Sequence, residues 1–401
     1  MTTGEPETPQ SRDATEPYAR VLHIDVDTPD WSLVASRRRS RTFFVLWRAE
    51  CAVGHVWVDE RDDPTPAVQR ALVTAPRAPA VAGPVTPPST VSVVICTRDR
   101  PGALVRCLAS FGNQSRRPDE VIVVDNASRA AAETQAATLA AGATYIREDR
   151  PGLDIARNTG MLAARSQVVA YTDDDTELHP RWLECLVGAF SEDHVVAVTG
   201  LVLPAELDTE PQWLFERDWG FGKGYLTRDF DEVFYEDTRT RGCPAWEVGA
   251  GANMAFRASV VDRVGLFDER LDVGAAGCSG DSEYWYRILA DGGTCRYEPS
   301  AIVYHHHRRD LEGLARQLRY YMRGHAAALL VQYERTGDRG NLRRLVLSLP
   351  AWYLRLVAHR ICGRTDAPTT ALLPQVLGLL SGVAFYLRRS PLVPRVLRHG
   401  G

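Results

Sequence analysis

The sequence predicts an α/β fold, a mostly parallel sheet with helices on both faces, preceded by a small β-rich module and followed by a helical tail. Three observations carry this. Between residues 91 and 172, short Val- and Ile-rich runs alternate with amphipathic stretches, the pattern of buried strands joined by crossover helices. Prolines at 76, 79, 84, 87 and 88 break both periodicities and set off a separate N-terminal unit. After residue 307, 16 arginines face only 5 acidic residues, and the apolar positions follow helical spacing. With 401 residues, 45% hydrophobic and 24% charged, the chain can bury a large core and is not a disordered, collagen-like or multi-span membrane protein.

Residues 1–17 are polar and rich in Pro, Thr and Glu, too poor in apolar surface to order, and read as a disordered tail. Residues 18–75 form the small β-rich domain, with strands at 21–26, 42–47 and 56–58 and a short helix near 67–72. After the linker at 76–90, the core domain spans 91–307. It opens with strands at 91–96, 121–124, 144–146 and 168–172, interleaved with helices at 103–113, 130–141 and 155–164. Eight cysteines include no CxxC pair, and no signal-like segment opens the chain, which fits a reducing, cytoplasmic setting.

Parallel sheets bind ligands at the carboxyl ends of their strands. The strand at 168–172 runs directly into Asp173, Asp174 and Asp175. Three adjacent carboxylates repel one another unless a cation neutralises them, and hard oxygen ligands suit Mg2+ or Mn2+. By itself the triplet also fits a solvated, helix-capping turn. Thr97 with Arg98 and Asp125 with Ser128 end two neighbouring strands on the same edge. Asp125 suits a base N–H, and Arg98 or Arg157 suits a diphosphate; all are equally compatible with caps and turns. Asp281 follows a Gly-rich run and opens a helix, so it reads as a general base or an N-cap, with Glu283 as a competing base. His305 and His307 share one face of a strand end, as metal ligands or as a solvated connection.

Taken together, seven segments resemble family 2 inverting glycosyltransferases of the GT-A fold: 93–100 (VVICTRDR), 121–128 (VIVVDNAS), 152–160 (GLDIARNTG), 171–175 (YTDDD), 251–257 (GANMAFR), 265–269 (GLFDE) and 280–287 (GDSEYWYR). The resemblance implies that Thr97 and Asp125 hold the nucleotide base and that Arg157 lies near ribose or diphosphate. It makes Asp173, Asp174 and Asp175 the Asp-x-Asp region for ribose and metal, and Asp281 the catalytic base. Gly280 stands where the family more commonly has Glu. The implied donor is a nucleotide sugar, UDP-linked by preference with dTDP- or GDP-linked alternatives, and the acceptor is a hydroxyl. The rival expectation is a catalytically silent nucleotide-sugar or membrane-surface binding protein on the same fold.

Residues 204–246 hold nine aromatics, for stacking on sugar or lipid or as a satellite core beneath a loop. A helix is expected from about Leu311 to Tyr333, then a second one interrupted at Pro350. The uncharged run 371–387 is short for a membrane span and contains Pro374, Gly378 and Gly382, so it reads as a docked or interfacial helix. Peripheral contact with anionic membrane at the inner face is expected from the basic tail; no nucleic-acid partner is.

Overall fold

The computed structural model describes residues 17–36, 41–76, 89–362 and 372–389. The expected disordered tail, except residue 17, and most of the proline-rich linker lie outside them. The N-terminal module has strands β1 (Arg20–Asp25), β2 (Thr42–Arg48) and β3 (Cys51–Val58) with helices α1 (Trp31–Ala35) and α2 (Pro64–Thr74). Its strand order is β1-β2-β3, parallel between the first two and antiparallel between the last two. Strand alternation splits β2: Phe44 and Leu46 pack with Val34 and Val68 beneath the module's own helices, whereas Phe43 and Val45 join the main core beside Trp213. Both faces are therefore buried, which explains the unbroken apolar run. α1 carried no sequence signal longer than its capping Asp30, which accepts from Leu33 N.

The main domain follows as β4 (Val91–Thr97), α3 (Pro101–Ser110), β5 (Glu120–Asn126), α4 (Ala131–Ala140), β6 (Thr144–Glu148), α5 (Leu153–Ala163), β7 (Val168–Asp173), β8 (Thr176–Leu178) and α6 (Trp182–Gly188). It continues through β9 (Val195–Pro204), α7 (Glu210–Trp219), β10 (Arg228–Phe230), α8 (Glu232–Arg239), β11 (Asn253–Arg257), α9 (Val260–Val264), α10 (Gly280–Ala290) and β12 (Thr294–His305). The sheet order is β10-β12-β9-β11-β7-β4-β5-β6, with β8 on β12. The half made of β7, β4, β5 and β6 is parallel as expected, while β11 runs antiparallel to both β7 and β9 and makes the whole sheet mixed. Val93 and Ile95 point toward α3 and α6, and Val94 points to the opposite face with α5 and α10, so helices cover both sides.

The tail comprises α11 (Leu311–Thr336), α12 (Arg339–Arg343), α13 (Leu349–Ile361) and α14 (Leu372–Arg389). The expected interruption at Pro350 is a π-helical turn over Arg344–Ser348, which absorbs the missing donor so that helical backbone continues into α13. α14 is a docked helix. A Cβ on Gly378 or Gly382 would lie 2.2 Å from the carbonyl oxygens of Arg319 or Arg323, so its backbone rests directly on α11. α11 in turn presses on the loop before α10, because a Cβ on Gly324 would sit 2.2 Å from Cys278 O. The tail is thus a brace for the segment that delivers Asp281. No helix among the described residues is long and apolar enough to cross a membrane.

Candidate active site

Register places the site residues side by side at one sheet edge. Cys96 pairs with Asp173 across β4 and β7, and Thr97 pairs with Asp125 across β4 and β5. Adjacent strands lie about 4.8 Å apart, so the ends of β4, β5 and β7 form one continuous polar rim. β8 turns back immediately after the Asp triplet and pairs with β12 so that His305 lies opposite Thr176. His306 N donates to Asp175 O at 3.0 Å and closes this corner.

The three aspartates do not act alike. Asp174 turns inward, accepting from Thr97 Oγ1 at 2.7 Å and from Arg100 Nη1 at 2.8 Å. Asp173, Asp175 and His305 each offer a ligand atom, all within 4.8 Å of one another. Two carboxylates and one imidazole fit a divalent cation such as Mn2+ or Mg2+. Burial, then the neighbouring Asp175, pushes the Asp173 carboxyl up to about 7. Burial also works to raise Asp175, but His305, Arg100 and Arg308 outweigh it and hold that carboxyl below its ordinary value. Burial pushes His305 down to about 4, keeping it a neutral imidazole able to coordinate.

The sequence left His305 and His307 as equal candidates, and the structure separates them. Glu216 Oε2 lies 2.9 Å from His307 Nε2, and a carboxylate only accepts, so that nitrogen donates. With His307 neutral, its Nδ1 accepts from His305 Nδ1–H at 3.0 Å. This leaves the lone pair on His305 Nε2, which faces Asp175 Oδ1 at 3.4 Å. His305, together with Asp173 and Asp175, is thus the histidine placed to offer a ligand atom, and His307 stands behind it, between His305 and Glu216. Phe221 packs against both rings and Phe215 against His307, which gives part of the aromatic segment its role; Trp213, Phe230 and Tyr235 are core. We expect Glu216→Gln, which can donate as well as accept, to weaken Mn2+ binding by about 10- to 100-fold with the fold intact. Titration followed by electron paramagnetic resonance, beside a melting curve, checks this; unchanged affinity would contradict the orienting role.

Several other expectations are relocated. Arg98 is exposed on the turn after β4, and Arg100 is the residue that reaches the acidic cluster, with Nη1 also 2.7 Å from Asp175 Oδ2. Asp125 is fully buried and accepts from Tyr145 Oη (2.7 Å), Arg147 Nη1 (2.9 Å) and Ser128 N (3.1 Å). Arg157 is not on the open rim: its Nη1 is enclosed between Asp154 Oδ1 (2.9 Å) and Asp272 Oδ2 (2.7 Å). Glu283 is buried and held by Arg287 and Arg335, which removes it as a competing base.

Asp281 stands in the first turn of α10, half-buried. Its Oδ2 accepts from Gly251 N at 2.8 Å and its Oδ1 from Ser282 N at 2.6 Å. A Cβ on Gly251 would lie 2.7 Å from Arg157 Nη2 and 2.9 Å from Asp281 Oδ2, so this glycine lets guanidinium and carboxylate share one corner. Burial raises the Asp281 carboxyl above its ordinary value; Arg157 opposes the rise and Asp272 adds to it.

A mixed sheet with an Asp-Asp-His corner at the carboxyl ends of its parallel strands and an aspartate opening a facing helix defines a GT-A glycosyltransferase domain. Residues 92–265 match the model of the family described as Glycosyl transferase family 2. The pre-mycofactocin glycosyltransferase of Mycobacterium tuberculosis is 29% identical over 245 residues, covering 61% of this chain and 48% of that protein. The glucosyl-dolichyl phosphate glucuronosyltransferase of Haloferax volcanii is 28% identical over 184 residues, 44% of this chain and 56% of that one. The chain thus spans about half the length of these curated relatives. The mannosyltransferase PcManGT from Pyrobaculum calidifontis, solved with GDP-Man and Mn2+, superposes with a TM-score of 0.51 at 19% identity. It covers 81% of this chain and 94% of that one, a likeness of fold.

Proposed function

We propose that the chain is a metal-dependent inverting glycosyltransferase that moves a sugar from a nucleoside diphosphate to a hydroxyl of a glycan, glycolipid or metabolite. The observation that carries this is the convergence of Asp173, Asp175 and His305 on one cation-sized space at the sheet edge. Mn2+ or Mg2+ held there supplies Lewis-acid stabilisation of the departing diphosphate. Arg100 and the exposed Arg308, whose charges already act on Asp174 and Asp175, add positive potential for the same phosphates. Asp281 takes the proton of the attacking hydroxyl, and attack from the face opposite the leaving group inverts the anomeric centre. The carboxyl of Asp281, raised by burial, is the stronger base for it. Asp125 and Thr97 border the base pocket, with Tyr145 and Arg147 fixing Asp125.

UDP-sugars are the favoured donors, with dTDP- and GDP-sugars as alternatives; GDP-mannose joins the test set because the fold neighbour was solved with it. A panel of nucleotide sugars is assayed for hydrolysis with and without Mn2+, which needs no acceptor. Metal-dependent hydrolysis of at least one donor is expected, and none with any donor would contradict the proposal.

The tail supports a membrane-surface setting. Residues 339–362 and 372–389 carry seven arginines and no acidic residue. Val346 and Leu347 before α13, Leu354 and Ile361 on it, and Leu373, Leu380 and Leu387 on α14 are exposed. Apolar side chains bordered by arginine match an anionic bilayer surface, where each arginine contributes about 1 kcal/mol. The full-length protein is expected to float with anionic vesicles at low salt and to be released as salt rises. No flotation at low salt would leave these helices as a brace alone.

A further inference from the structure

Asp154 sits in the first turn of α5 with its side chain wholly enclosed. Its Oδ1 accepts from Arg157 Nη1 at 2.9 Å, while its Oδ2 has no hydrogen-bond partner. A buried carboxylate oxygen left without a partner is costly, so its retention needs a reason. The neighbour it abuts is Gly280, immediately before Asp281. A Cβ built on Gly280 would lie 2.0 Å from Asp154 Oδ2 and 2.5 Å from its Cγ. The carboxylate of one helix therefore fills the space that a side chain at the start of the other would need.

The consequence for Asp281 runs through Arg157. Asp154 and Asp272 grip the same guanidinium nitrogen from two sides. Its other terminal nitrogen borders Gly251, beside Asp281 Oδ2. With Asp154 present, Arg157 is tied down and the carboxylate of Asp281 is shared only with Gly251 N and Ser282. Without it, Asp272 alone would restrain Arg157, and the guanidinium would be free to pair with Asp281.

We propose that Asp154 is the positioning carboxylate of the Asp281 centre, delivered from α5 into the space opened by Gly280, and that residues 154 and 280 form one exchangeable unit. It acts on Asp281 through Arg157 and does not touch substrate. This rests on the proposed transfer reaction, but the exchange itself is readable without turnover.

Variants of the full chain test it by melting temperature and by Mn2+-dependent donor hydrolysis. Gly280→Ala is expected to melt well below the parent, since its Cβ meets a buried carboxylate. Asp154→Ala is expected to fold and to bind nucleoside diphosphate, but with kcat about 100-fold lower, the scale of a misplaced reacting group. Asp154→Ala combined with Gly280→Glu, which returns a carboxylate from the other helix, is expected to recover most of that kcat. Asp154→Asn keeps the shape and stands in if the alanine variant fails to fold; it should show the same fall in kcat with KM unchanged. Parental kcat in Asp154→Ala or Asp154→Asn would overturn the proposal, as would a folded double variant no faster than Asp154→Ala. If the parent itself hydrolyses no donor, the transfer reading fails instead. The melting temperature of Asp154→Ala combined with Gly280→Ala then still decides whether removing Asp154 relieves the Gly280→Ala defect, and no relief would overturn the exchange.

Discussion

Asp281→Asn should lower transfer by about two to four orders of magnitude while leaving folding and donor binding intact, because general-base contributions are of that size. Asparagine keeps the side-chain volume and an oxygen for the Gly251 N–H that Asp281 Oδ2 now accepts, but it cannot take a proton from a hydroxyl. Asp281→Ala loses that bond and the one to Ser282 as well, so it should lower the melting temperature in addition. The base works only when ionised, so kcat/KM should fall as pH drops through the Asp281 pKa. Burial raises that pKa, so the acid limb should lie above the ~3.9 of a free aspartate and vanish in Asp281→Asn. Near-normal turnover in Asp281→Asn would reduce the residue to a structural tie between the first turn of α10 and Gly251. Glu283→Gln is the contrast: Glu283 is buried against Arg287 and Arg335, so its loss should cost stability first.

The second large effect is that of the metal. Asp173 and Asp175 converge with His305 at the corner where the proposed donor's diphosphate would also bind, and like charges so close repel strongly at reduced dielectric. Chelation should therefore remove both donor binding and turnover. Asp175→Asn should weaken Mn2+ binding and cut turnover by roughly 1,000-fold, since Lewis-acid stabilisation is worth several kcal/mol. Asp174→Asn should behave differently, because Asp174 is engaged by Thr97 and Arg100 and is not one of the three clustered groups Asp173, Asp175 and His305. Its signature should be a lower melting temperature with Mn2+ affinity kept. Equal loss of Mn2+ binding in both variants would contradict the division of labour within the triplet.

The parallel half of the sheet was legible because its strands are near-continuous Val and Ile and its helices amphipathic, so period alone separates them. The carboxyl ends of those strands put Thr97, Asp125 and Asp173 on one sheet edge, and the register agrees. What stayed hidden depends on register and on distant packing. Nothing local shows that β12 pairs with the three-residue β8, yet that pairing brings His305 to Asp175. Glu216 lies 91 residues from His307, inside a segment read for its aromatics, and only the folded chain joins them. Arg98 and Arg100 are indistinguishable on a turn until the backbone direction is fixed, and the left-handed Asp99 between them sets it. Gly280 was noted as a departure from the family pattern, but the carboxylate that fills its space comes from Asp154, 126 positions earlier. Pro350 predicts an interruption because a proline removes one donor; the π-helical turn before it lets the helix continue.

The central claim is that Asp173, Asp175 and His305 hold a divalent cation through which a nucleoside diphosphate binds. Titration calorimetry with UDP and GDP, in Mn2+ and then in EDTA, tests it most directly. The expected result is saturable binding of at least one nucleoside diphosphate in Mn2+ and little or none in EDTA. Equal affinity in both conditions would contradict the claim and remove the cation from the account.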